Sequence, residues 1–208
     1  MSTLPIYWPE SEAFGDFLRE QSEPGWVRRT IEADHRLQPI DTLAAETLSG
    51  VDLLLLAQPR ALSPAENVAL DDWVRGGGRV LLFADPMLTR HSHFPIGDRR
   101  RPQDVVLLSP ILGRWGLELT FDAGQPEGER DIATPDGALP VNLTGRFQPR
   151  EGGEAACATE ADGVIASCRI GRGRAVLVAD AALLDGEDGA VDEQRRERLT
   201  ALLALASR

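Results

Sequence analysis

Cysteine is nearly missing from this chain of 208 residues, with only Cys157 and Cys168 present. Two cysteines in a chain this long make no disulfide framework, and without C-x-x-C spacing they carry little metal or redox signal, so buried free thiols are expected. No run approaches the roughly twenty apolar residues of a membrane span, and the start MSTLPIYWPE has neither the basic nor the apolar region of a secretory signal. The sequence as given therefore reads as soluble and cytoplasmic, without direct membrane insertion. Basic residues are outnumbered, 22 Lys and Arg against 33 Asp and Glu, and the formal net charge is −11. Such a balance argues against nucleic acid or anionic lipid as a partner. The one basic cluster, Arg99-Arg100-Arg101, lies in a stretch of Pro, Gly and His. It reads first as a solvated loop and second as a seat for an anionic ligand or partner. No G-x-S-x-G surrounds Ser63, Ser109 or Ser167, so a serine hydrolase has no anchor.

What is present is most legible from Val51 to Leu88. Leu53 to Leu56 is a short apolar run that fits a strand buried on both faces. Ser63-Pro64-Ala65-Glu66 then specifies a helix start: the serine caps free amides, proline suits the first helical position and the glutamate completes a capping box. Ala69, Leu70, Trp73 and Val74 form one apolar stripe, while Asp71, Asp72 and Arg75 fall toward solvent. Gly76-Gly77-Gly78 stops the helix and a second strand ends at Asp85-Pro86. A glycine loop that cradles phosphate follows a strand and opens a helix. Here the order is reversed, which argues against that use.

Elsewhere, Leu4 to Trp8 and Arg36 to Ile40 read as strands, Glu10 to Gln21 as an amphipathic helix, and Asp41 to Leu48 as a short helix stopped by Gly50. Thr89 to Gln103 lacks periodicity. Val105 to Trp115 reads as a helix, Leu117 to Phe121 as a strand, and about 122–155 as an irregular excursion holding short strands such as Leu139 to Leu143. Gly163 to Ile170 and Ala175 to Ala179 read as an antiparallel pair turning at Gly171-Arg172-Gly173, followed by a closing helix from Val191 to Ala206. The alternation of strand and helix predicts a single α/β domain of 208 residues, with a mostly parallel central sheet in three layers and an antiparallel C-terminal strand pair.

The phrase LSPAENVALDDWVRGGGRVLLFADPML, followed by SPILGRWGLEL and GRGRAVLVADAALL, resembles the soluble domain of the gliding-motility-type auxiliary component of ABC transporters. That domain falls within the flavodoxin-like, class I glutamine amidotransferase-like fold group, and the resemblance runs in order over about Val51 to Leu184. It implies a membrane-associated, extracytoplasmic domain beside an ABC permease and ATPase. Enzymes of the amidotransferase-like group carry a cysteine on the turn after the strand matching Arg79 to Phe83, and a histidine near a later strand. Here the turn reads Phe83-Ala84-Asp85-Pro86 and the later strand ends in Ala179-Asp180, so the nucleophile and its base are missing from both places.

Ligands of open α/β sheets sit beyond the carboxyl ends of the strands. The candidate crevice is therefore Gln58, Pro59, Arg60, Asp85, Pro86 and Asp180, overhung by the loop with His91, His93, Arg99, Arg100 and Arg101. Asp85 and Asp180 have two uses. They could serve as a carboxylate pair or, with His91 and His93, hold a metal for hydrolysis. Short carboxylates more often accept backbone N–H bonds of the turn or cap the next helix. The expected function is a non-catalytic binding or assembly module, without cofactor, of an ABC transport system. It would recognise a small polar or sugar-like ligand or a protein partner, with self-association open. The alternatives are the metal-assisted hydrolase and a scaffold whose crevice is filled by its own side chains.

Overall fold

A computed structural model of the chain describes residues 1–8, 10, 24–186 and 193–208. The chain builds a five-stranded sheet from β1 (Leu54–Ala57), β2 (Arg79–Phe83), β7 (Ala156–Glu160), β8 (Ile165–Ile170) and β9 (Gly173–Val178), in the order β1-β2-β9-β8-β7. β1–β2 and β2–β9 are parallel, whereas β9–β8 and β8–β7 are antiparallel. The antiparallel part is thus larger than the strand pair read from the sequence, and the sheet is mixed.

Alternation along the strands sorts the core into two faces. Val80 and Leu82 of β2 and Ala175 and Leu177 of β9 point to one face, where they meet α2 (Ala45–Leu48), α3 (Pro64–Arg75) and α4 (Ser109–Arg114) through Leu48, Leu70, Val74, Ile111 and Leu112. Leu81, Phe83, Val176 and Val178 point to the other. There they meet α1 (Trp26–Glu32) and α5 (Glu193–Ser207) through Trp26, Val27, Ile31, Leu199 and Leu202. Among the described residues there are two smaller antiparallel sheets: β3 (Leu117–Phe121) with β6 (Gly145–Pro149), and the hairpin of β4 (Arg130–Thr134) with β5 (Gly137–Val141). The Leu117–Phe121 strand therefore belongs with the excursion and not with the central sheet.

Several expectations are corrected. Residues 4–8 form no strand: Pro5 has no N–H to give, the Ile6 N–H turns back to Leu4 O (2.8 Å), and the bridge to β1 is made earlier, by Ser2 at Ala57. Among the described residues, 36–40 pair with no strand, and Pro39 cannot donate. The helix read over Val105 to Trp115 is confined to α4, with Pro110 in its first turn. α1 was not foreseen, because its apolar residues span barely two turns. Glu10 to Gln21 lies almost wholly outside the described residues, as does the start of the closing helix. Cys157 and Cys168 are not free thiols: they sit directly opposite each other on β7 and β8 and form a disulfide. A closed loop of this size is worth about 3 kcal/mol by chain entropy.

α3 ties the layers together. Its capping box forms as read, with Ser63 accepting from the Glu66 N–H (3.2 Å) and Glu66 accepting from the Ser63 N–H (2.9 Å). The buried Glu66 also accepts from the Leu43 N–H (3.2 Å) and receives both arms of the Arg60 guanidinium at 2.9 and 2.6 Å. Asp71 does not face solvent as its helical phase suggested. It is buried, and it accepts from Trp115 Nε1 (2.9 Å), Arg75 Nε (2.8 Å) and Arg114 Nε (3.2 Å), linking α3 to the turn into β3. Burial alone would raise the Asp71 pKa, but these donors hold it below the ordinary value. The Gly171–Gly173 turn packs under the end of α3. A Cβ on Gly173 would stand 2.0 Å from Val74 O, so no other residue fits there without moving the helix.

The Arg60 hydrogen bonds are the main reason the Glu66 carboxyl is held down at about 2. Its stabilisation is complete above the unfolded value near 4.3 and is lost as pH falls toward 2. Because Arg60 is partly exposed, we expect Glu66→Gln to cost about 2 kcal/mol at pH 7, with the gap to the wild type shrinking by about pH 3. Urea unfolding at both pH values checks this. A gap unchanged by acid would show that the ionised carboxylate is not what matters.

Candidate functional site

β1, β2 and β9 run parallel, so their carboxyl ends gather Gln58, Asp85 and Asp180. These residues do meet there, but as a sealed knot. Their exposures are 0%, 1% and 1%. Gln58 has φ of 45°, a left-handed conformation uncommon outside glycine, and its side chain secures that turn. Its Oε1 accepts from the Asp85 N–H (2.9 Å), while its Nε2 donates to Asp85 O (2.9 Å) and Gln103 O (2.8 Å).

Each aspartate is engaged the same way. Asp85 Oδ1 accepts from the Met87 N–H (2.8 Å) and Oδ2 from the Ala181 N–H (3.2 Å). Asp180 Oδ1 accepts from the Ala182 N–H (2.6 Å) and Oδ2 from the Asn142 N–H (2.9 Å). The Gly145 N–H and the Thr144 hydroxyl both donate to Ala179 O, at 2.8 and 3.1 Å. The carboxyl end of the sheet thus holds the β5–β6 turn and the segment after β2 in place. Each carboxyl oxygen already holds a backbone donor, and both carboxyls are closed off from solvent, so a substrate or metal would reach them only if the surrounding segments opened.

The other candidate residues go elsewhere. Pro59 is buried. Arg60 is committed to Glu66 and to Asp41 O (2.8 Å). Pro86 lies against the β3–β6 pair, where its Cγ would be 2.8 Å from a Cβ on Gly145. In the overhanging loop, the exposed rings of His91 and His93 stand edge to face with centroids 5.8 Å apart. Among the described residues no three His, Cys, Asp or Glu side chains converge as a metal-ligand set. The arginine cluster divides: Arg100 grips Asp98 (2.7 Å) and lies over the Phe94 ring, Arg101 grips Asp104 (3.0 Å) and Phe94 O (3.0 Å), and Arg99 is exposed.

Sequence reading missed the partners that close the site: Gln103, Asn142, Thr144, and the Arg90–Asp185 ion pair (2.8 Å) that ties the loop to the segment before α5. Separations of 38 residues for Asn142–Asp180 and 95 for Arg90–Asp185 leave no local pattern to find.

The electrostatics follow from burial. Loss of water pushes the Asp85 carboxyl up to about 7, against the pull of its two backbone donors. Burial, and then the neighbouring Asp85 charge, push Asp180 up to about 8. Between about pH 4 and 8 the native state keeps protons that the unfolded chain has released, so stability falls as pH rises, by about 1.4 kcal/mol per pH unit per proton retained. We expect the urea unfolding free energy to drop from pH 5 to pH 8, and Asp180→Asn to flatten that slope. An unaltered slope in the variant would place the titrating proton elsewhere.

A family model described as an ABC-type uncharacterized transport system matches residues 10–137, more than half of the chain. No curated protein matches. Among solved structures, the chain is similar to Exo-beta-1,4-mannosidase Op5Man5 from Opitutaceae bacterium strain TAV5, at 17% identity and TM-score 0.49, covering 81% of this chain and 27% of that one. It is also similar to a beta-galactosidase from Bacillus circulans sp. alkalophilus, at 14% identity and TM-score 0.47, covering 76% and 22%. A third is Cytoplasmic Protein STM3548 from Salmonella typhimurium, at 9% identity and TM-score 0.50, covering 88% and 87%. The chain spans about a quarter of the length of the two glycosidases, and at such identities a likeness concerns fold alone. Among the described residues no helix is long and apolar enough to cross a membrane. On the family match over residues 10–137, the chain belongs to the family of ABC-type uncharacterized transport systems.

Proposed function

We propose that this domain is a non-catalytic assembly module of an ABC transport system, of the gliding-motility-type auxiliary kind, and that its partner is a protein of that system. The carrying observation is the sealed carboxyl end of the sheet, where Gln58, Asp85 and Asp180 are consumed by the chain's own backbone. The amidotransferase-like fold group is the relation we favour, on the ground that parallel strands β1, β2 and β9 lie between helix layers with antiparallel strands beside them. The Cys157–Cys168 disulfide favours an oxidising, extracytoplasmic setting over the cytoplasmic one read from the sequence.

Beside the sealed end lies an apolar surface. The Val106 N–H donates to Asp85 O (3.1 Å) and the Leu88 N–H to Asp104 O (2.9 Å), so the segments around Pro86 and Val106 run together. Val106 and Leu108 turn inward, while Met87, Val105 and Leu107 are exposed at 45%, 48% and 57%. A cluster of this kind suits a protein contact better than a polar ligand.

The test is co-expression with the permease and ATPase of its own system. Wild type is expected to co-purify with them, and the triple variant Met87→Ser, Val105→Ser, Leu107→Ser to lose at least about tenfold in recovery at unchanged melting temperature. Equal recovery of the variant, or none with wild type, would overturn the proposal.

A further inference from the structure

We infer that the outer edge of β7 is a self-association surface, on which a second copy of this chain pairs antiparallel about Ala158 to continue the sheet across a twofold axis. This rests on the sheet's register and is independent of the transport role.

β7 is the last strand of the sheet, and among the described residues nothing hydrogen-bonds to its outer edge. Edge strands are normally protected by proline, lysine, a bulge or a covering element. The strand Ala156-Cys157-Ala158-Thr159-Glu160 has no proline or lysine, and its register with β8 runs unbroken from Ala156↔Arg169 to Glu160↔Ile165. The disulfide fixes that register. It also tells which backbone groups face out: Cys157 and Cys168 have Cα atoms 4.0 Å apart, the spacing of a non-hydrogen-bonded pair. Cys157 and Thr159 therefore aim their N–H and C=O groups away from β8, at the free edge.

A twofold axis through Ala158 matches this pattern. Cys157 of one copy faces Thr159 of the other as hydrogen-bonded pairs, with Ala158 against Ala158 between them, and the small side chains let the strands approach. The charges are complementary in the same register. Glu160 of one copy falls beside Ala156 of the other, whose neighbour on β8 is Arg169. The carboxylate and guanidinium thus stand on one face with only a methyl between them, on strands about 10 Å apart, within reach of two long side chains. Among the described residues neither Glu160 nor Arg169 makes an ion pair within its own chain, although the Glu160 charge does act on the Arg198 guanidinium, opposing the lowering of its pKa by burial. Such a strand-to-strand contact is small and belongs with weak, reversible associations.

Sedimentation equilibrium of the purified oxidised chain, up to about 1 mM, is the test. A monomer–dimer equilibrium is expected. Thr159→Pro removes an outward N–H without touching the ladder to β8, and should raise the dimer Kd by at least about tenfold. The exposed Arg169→Glu sets like charges across the axis and should do the same, whereas Arg169→Lys retains the dimer. Wild type that stays monomeric throughout, or a dimer indifferent to both Thr159→Pro and Arg169→Glu, would overturn the inference.

Discussion

The backbone at the carboxyl end of a buried sheet must find hydrogen-bond partners without water, and this requirement organises the molecule. Asp85 and Asp180 meet it with four carboxyl oxygens and Gln58 with one amide. The cost is two acids out of water in one place, with pKa values driven upward, and a left-handed turn at Gln58. The return is that β1, β2, β9, the β5–β6 turn and the loop after β2 are fixed to one another by groups of fixed length. The three side chains at the strand ends are thereby buried.

A second knot does the same for the helix layer. Glu66 closes the start of α3 onto Leu43 and Arg60, and Asp71, five residues further along the helix, reaches Trp115. α3 is therefore fixed at its start to the segment before β1 and at its middle to the turn entering β3. Below its end, Gly173 leaves just enough room for the β8–β9 turn. The apolar stripe Leu70 and Val74 supplies burial, and the two acids supply direction: an apolar stripe alone permits rotation and sliding that a carboxylate bonded to named donors does not.

The edges of the sheet are treated unequally. At β1, residues 1–3 lie alongside and the Ser2–Ala57 bridge occupies the edge. At β7, four of five residues are exposed, so little apolar burial holds the strand, and the disulfide to β8 supplies the constraint that packing does not. That contrast sets a covalently held strand at one edge of the sheet against a hydrogen-bonded one at the other.

Sequence by itself determined what depends on near neighbours. The α3 unit was legible residue by residue, since a capping box, a proline in the first turn and a glycine stop act within a few residues, and the β8–β9 pair was legible from its turn. The absence of a cysteine nucleophile at Phe83-Ala84-Asp85-Pro86 was equally plain, and so was the backbone-bonding use of Asp85 and Asp180 as one of two choices. Tertiary structure supplied the partners for the backbone-bonding use, because the donors from Ala181 and Asn142 arrive from 96 and 38 residues away. It also turned Asp71 inward, paired Leu117–Phe121 with β6 away from the central sheet and joined Cys157 to Cys168. In each case the deciding partner lay on a segment distant in sequence, often a turn, and a period or motif carries no record of which segment the fold will bring alongside.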